Sequence, residues 1–166
     1  NQIVIGGIPN VGKSTLLNQI CDRKLAKTGN EPAVTLGQQR VRLSDSWVLI
    51  DTPGLLWPKL TDQHAAYLLA AIGTIRNTAI DAVDIAFFLA EYLSKYHHQR
   101  LSDRYKIVQH NNDAEIILSE IANYRGSITS GGKIHWNKTS EILLNDFRTG
   151  KLGRFSLERP PAGTGG

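Results

Sequence analysis

A single cysteine, Cys21, excludes an internal disulfide framework and points to an intracellular, reducing compartment, here expected to be the cytoplasm. Long apolar runs are also missing. The longest, such as Ile85–Ala90, fall far short of the ~20 residues a bilayer span needs, which argues against a membrane partner. Strong charge of one sign is absent as well: the net charge is +4, an excess compatible with a polyanionic partner but too small to establish one. With 41% hydrophobic and 20% charged residues among 166, neither a disordered nor a fibrous class fits. One domain, or a part-domain with an appendage, does. The chain opens on Asn1 rather than Met, directly on an apolar strand and without a signal or transit pattern, which reads as a fragment.

What is present first is an α/β pattern. Asn1 to Ile5 reads as a short buried strand, Gly6 to Gly12 as a glycine-rich loop, and Lys13 to about Lys24 as the helix this loop opens. Gln38 to Leu43 and Ser46 to Ile50 read as strands, the second ending at Asp51. After Pro58 the apolar spacing becomes helical, at Ala65–Ile75, Thr78–Tyr96, Ala114–Tyr124 and Ser140–Phe147. Asp113 is placed to N-cap the third of these, with Gly126 closing it and Gly150 closing the fourth. The expected architecture is a P-loop half-domain over residues 1–76, a partial parallel sheet with helices, followed by an all-helical C-terminal domain over 77–158. A low-complexity tail fills 159–166.

Gly7-Ile8-Pro9-Asn10-Val11-Gly12-Lys13-Ser14 fits GxxxxGK[ST], with an apolar strand before it and a helix after it. Glycines let consecutive backbone N–H groups turn toward phosphate oxygens, and the helix N-terminus adds partial positive charge. The expected nucleotide contacts are Asn10, Val11, Gly12, Lys13, Ser14 and Thr15, with Lys13 on the β- and γ-phosphates and Thr15 near the α-phosphate. Ser14 offers a hydroxyl to Mg²⁺, a hard ion that takes few protein ligands. Asp51-Thr52-Pro53-Gly54, at the end of an apolar strand, fits the DxxG element of GTPases: Asp51 would hold Mg²⁺ through water and the Gly54 N–H would sense the γ-phosphate. Thr35, 22 residues after Lys13 and 16 before Asp51, is the expected switch threonine completing the Mg²⁺ site, with Thr28 as its competitor.

The segments PNVGKSTLLN, KTGNEPAVTLGQQ, DTPGLLWP and NDFRTGKLGRFSLE together resemble the bacterial ribosome-biogenesis GTPase A (YlqF-like) family, a branch of the circularly permuted GTPases. The resemblance spans nearly the whole chain. It implies GTP and GDP as ligands, GTP hydrolysis, and a role in maturation of the large ribosomal subunit, with ribosomal RNA as partner; no DNA partner and a monomeric chain are expected besides. It also implies that the guanine-reading NKxD motif and the catalytic histidine lie upstream of Asn1, so no catalytic residue is assigned within this chain. Asn10 matches the asparagine that holds K⁺ in potassium-stimulated relatives. Ala33 departs from the family's PGVT, which puts the switch geometry in question.

Asn137-Lys138-Thr139-Ser140 is rejected as NKxD, because Ser140 lacks the carboxylate that accepts from guanine; this stretch reads as the start of the last helix. Leu55 follows Gly54 where many GTPases carry a water-orienting Gln, and a leucine cannot hydrogen-bond the attacking water. His64, His97, His98, His110 and His135 read as ordinary surface or core histidines. Lys133, Lys138, Arg148, Lys151 and Arg154 are candidate RNA contacts, with a solvated face as the plainer reading. Two other functions remain open at this level: an ATP-using P-loop enzyme, since a phosphate loop does not select the base, and a nucleotide-gated RNA-binding module without significant turnover.

Overall fold

In the computed structural model the described residues are 1–22, 37–56, 60–75, 80–108, 112–154 and 156–158. They form two compact units, Asn1–Ile80 and Asp81–Gly166.

The first unit is built on three strands, β1 (Gln2–Ile5), β2 (Gln39–Arg42) and β3 (Val48–Asp51), in the order β1-β3-β2. The apolar run Val48–Ile50 takes the central place, where Leu49 and Ile50 are buried. β1 pairs parallel to β3, with Gln2 opposite Val48 and Ile5 opposite Asp51, whereas β2 runs antiparallel to it. The expected parallel sheet is therefore mixed, because β2 and β3 are joined by a tight turn in which Leu43 N–H donates to the Trp47 carbonyl. β1 is an edge strand here, and Ile3 and Val4 are 41% and 60% exposed, so it is not the buried strand its composition suggested. Helix α1 (Lys13–Ile20) seats Leu17 on Leu49, with Ile5, Cys21 and Val41 around them. It stops at Ile20, short of the expected Lys24; Asp22 turns into positive φ (48°), and residues 23 and 24 lie outside those described.

Helix α2 (Gln63–Ala71) starts on an Asp62 side-chain cap and ends before the expected Ile75. Gly73 turns into positive φ there, and the Thr74 and Gly73 N–H groups take the Leu69 and Ala70 carbonyls, the paired bonds of a Schellman end.

The second unit is a three-helix bundle of α3 (Ala82–Tyr105), α4 (Ala114–Arg125) and α5 (Trp136–Arg148), each packed on the other two. Ile85, Leu89, Leu93, Leu101, Ile117, Leu118, Ile121 and Leu143 are fully buried between them. α3 begins at Ala82, where the Asp81 carboxylate caps the Val83 N–H, and runs on to Tyr105 through a non-helical residue, His97; its expected start, Thr78, lies outside the described residues. α4 has the expected Asp113 cap and Gly126 end. α5 starts four residues before the expected Ser140, its first turn held by His135 Nδ1 accepting from the Lys138 N–H. Asn137–Ser140 lies within that first stretch of helix, as its sequence suggested, and Gly150 closes α5 with the same paired bonds as Gly73. No helix among the described residues is long and apolar enough to cross a membrane.

Candidate nucleotide site

Parallel pairing of β1 and β3 brings the carboxyl ends of both strands to one edge, the position at which open α/β sheets bind ligands. From Ile5 the chain enters the glycine loop and from Asp51 the DTPG turn, and the two segments are tied together by backbone. Thr52 donates its N–H and its hydroxyl to the Ile5 carbonyl (3.3 and 2.9 Å), and the Leu55 N–H donates to the Gly7 carbonyl (3.1 Å). A side chain on Gly54 would put its Cβ 2.4 Å from Pro9 Cα, so only glycine lets the DTPG turn lie this close to the loop.

The loop ends with Gly12 in the left-handed conformation (φ 92°), and α1 starts without any side-chain cap. The positive end of the helix therefore faces the loop without a side-chain acceptor over it, a setting that suits an anion. Lys13 folds its ammonium onto the Ile8 carbonyl at 2.8 Å. Ser14 donates its hydroxyl to Asp51 Oδ2 at 2.8 Å. Asp51 is fully buried, and its other oxygen, Oδ1, has no hydrogen-bond partner among the described residues. A buried carboxylate oxygen without a donor costs on the order of 1–3 kcal/mol or more. Beside a serine hydroxyl, at the mouth of an uncapped helix, that oxygen fits a hard, hydrated divalent cation such as Mg²⁺.

Of the residues singled out by sequence, Asn10, Val11, Gly12, Lys13, Ser14, Thr15, Asp51 and Gly54 all belong to this one edge of the first unit. Val11 and Thr15 are exposed; Thr35 and Thr28 lie outside the described residues. Asn10 takes positive φ (59°), tolerable for asparagine, and its Nδ2 donates to the Gly73 carbonyl at 3.1 Å. That bond ties the loop to the end of α2, and nothing in the sequence signalled it. Leu55 is 74% exposed and supplies only its backbone N–H. His64 and His135 are exposed, His97 and His98 half-buried in α3, and His110 lies outside the described residues.

In the second unit, Lys133, Lys138, Arg148 and Arg154 are exposed, while Lys151 reaches a buried acid, Asp146, at 3.3 Å. Arg104 Nε donates to the same carboxylate at 2.9 Å, as do Arg125 Nη and, at 3.2 Å, the Tyr105 hydroxyl. The sequence reading missed this node. Its one signal was an acid three residues after Leu143, on the apolar face of α5.

A model of the family described as 50S ribosome-binding GTPase matches residues 2–123. Ribosome biogenesis GTPase A of Priestia megaterium is 38% identical over 157 residues, covering 95% of this chain and 54% of its own length. The protein of the same name from Bacillus cereus is 40% identical, over 95% of this chain and 53% of its own. The chain thus spans about half the length of these curated relatives. Among solved structures, GDP-bound YlqF superposes with a TM-score of 0.64 at 24% identity, over 96% of this chain and 60% of that one. GNP-bound YlqF from T. maritima gives 0.61 at 22%, over 95% and 59%, a likeness of fold.

Proposed function

The chain belongs to the 50S ribosome-binding GTPase family, and from that premise we propose that it binds GTP and GDP at the loop of Asn10–Thr15 and takes part in GTP hydrolysis during maturation of the large ribosomal subunit, in the cytoplasm. The observation that carries this reading is the Ser14–Asp51 pair, 2.8 Å apart, with a buried, donorless Asp51 oxygen at the open end of α1.

In this reading the backbone N–H groups of Asn10, Val11, Gly12, Lys13, Ser14 and Thr15 cradle the phosphates. Lys13 leaves the Ile8 carbonyl and donates to the β- and γ-phosphate oxygens, a charge-assisted bond replacing a neutral one. Ser14 and Thr35 through their hydroxyls, and Asp51 through water, would hold Mg²⁺. When bound, Mg²⁺ neutralises charge on the phosphates. The Gly54 N–H, held close to the loop through Pro9, donates to the γ-phosphate, so loss of that group frees the DTPG turn. Asn10 would offer K⁺ its Oδ1, with the bond to Gly73 holding the amide in place. Leu55 brings no group to orient water, so the turnover step waits on a group from elsewhere in the protein and on docking to the large subunit, through its ribosomal RNA.

The test is GTP turnover by the protein containing this chain, with and without purified large ribosomal subunits. Slow turnover alone, stimulation by the subunits, and a loss of roughly 10²-fold or more in Lys13→Ala are expected. Fast turnover alone with no stimulation would overturn the reading.

A further inference from the structure

Asp146 is outnumbered. Its side chain, 3% exposed, meets three cations, Arg104 from α3, Arg125 from α4 and Lys151 just past α5. Among the described residues it is the one carboxylate any of the three pairs with, so the cluster carries a surplus of about two positive charges. An ionised carboxylate has about four acceptor positions, so all three cations can serve the tie between helices, and they still leave the node with a net positive charge. The surplus is also presented outward: the side chains of Arg104, Arg125 and Lys151 keep 30%, 29% and 49% of their surface. Arg104 engages Asp146 through Nε, and Arg125, stacked over the Tyr105 ring at 5.6 Å, has a buried Nε with no partner among the described residues. The carboxylate holds both guanidinium groups in fixed orientation, which lowers the entropy lost when an incoming anion takes their remaining N–H groups.

Beside them stands an aromatic. Tyr124 precedes Arg125, meets Tyr105 edge-on at a centroid distance of 6.4 Å, and is 51% exposed. A flat exposed ring next to fixed cations matches the two demands of single-stranded RNA, a base to stack and a phosphate to neutralise.

We propose that Arg104, Arg125 and Lys151, set by Asp146, form a seat for a backbone phosphate of single-stranded RNA, with Tyr124 stacking on a neighbouring base. This deepens the functional reading above and rests on its ribosomal partner. Of the scattered cations Lys133, Lys138, Arg148, Lys151 and Arg154 it keeps Lys151 and joins it to Arg104 and Arg125 at a node linking all three helices.

The probe is a labelled single-stranded RNA oligonucleotide, titrated by anisotropy into this chain over a series of salt concentrations. Arg104→Gln and Lys151→Gln should each weaken binding several-fold and shallow the slope of log K against log salt by about 0.7 per cation removed. Tyr124→Ser should weaken binding without changing the slope. Lys95→Gln, the same charge change elsewhere on α3, should alter neither. Thermal melts run in parallel separate folding from binding. Variants that melt lower yet keep the wild-type slope would make the node a helix tie only, and an equal loss in Lys95→Gln would mean diffuse charge; either overturns the seat while leaving the ribosomal reading intact. No binding by the wild-type chain would overturn the seat together with the RNA partner, leaving the GTP-turnover reading to its own test.

Discussion

Lys13 and Asp146 show how differently two charged groups are used in one chain. Lys13 rests on the Ile8 carbonyl, a neutral acceptor and so a weaker partner than a charged oxygen would be. Asp146 is committed. Burial pushes its carboxyl up, but hydrogen bonds from Arg104, Arg125 and Lys151 outweigh that and hold it at about 2. The Tyr105 phenol is pushed up, by burial first and by the Asp146 charge next. Because the folded carboxyl lies below the unfolded value of roughly 3.9, the stabilisation is complete above about pH 4 and is lost as pH falls toward 2, with a magnitude of about 2 kcal/mol. Asp146→Asn should therefore lower the melting temperature at pH 7 and flatten the acid limb between pH 4 and about 2; thermal melts across that range check it, and an unchanged acid limb would rule the node out as its source. The strand, glycine loop and helix around Gly7–Ser14 were legible in sequence because the GxxxxGK[ST] spacing is fixed. Asp146 was not, since Arg104 and Arg125 reach it from 42 and 21 residues away and a lone acid on an apolar helix face carries no spacing rule.

Helix ends are where local sequence speaks most clearly. Asp62, Asp81 and Asp113 all cap through their side chains, and Gly73, Gly126 and Gly150 all close helices at positive φ. Two glycines are needed for different reasons, and substitution separates them. Gly126, at φ 67°, has open space where a Cβ would go, so Gly126→Ala should cost only the left-handed conformation, about 1 kcal/mol, read as a drop of about 4–8 °C in the melt of a unit this size. Gly54→Ala meets the Pro9 backbone instead and should separate the DTPG turn from the loop, weakening nucleotide binding far more than it lowers stability. Comparable effects of the two on nucleotide binding would contradict this account of Gly54. What the sequence hid were longer-range effects. Continuation of α3 past Tyr96 follows from Leu101 and Tyr105 being buried in the bundle, a tertiary gain that overrides the interruption at His97. The exposure of β1 follows from its place at the sheet edge, which composition does not encode.

At the scale of the molecule, charge and apolar surface are divided between two units with separate tasks. The first gathers a loop, an uncapped helix and a buried acid, the proposed phosphate site; the second ties three helices around an acid with surplus cations. An α/β unit followed by helices was readable from the change of apolar period near Pro58, whereas the antiparallel place of β2 was not, because strand direction is decided by the turn to β3. The claim on which the rest depends is that the edge holding Lys13, Ser14 and Asp51 is a magnesium-assisted nucleotide site. The most direct measurement is a titration of the chain with fluorescent GDP, with and without Mg²⁺, for the wild type and for Lys13→Ala and Ser14→Ala. The account predicts Mg²⁺-strengthened binding in the wild type, loss of roughly 10²-fold in Lys13→Ala, and loss of the Mg²⁺ dependence in Ser14→Ala. Binding that is unaffected by Mg²⁺ and by both substitutions would contradict it.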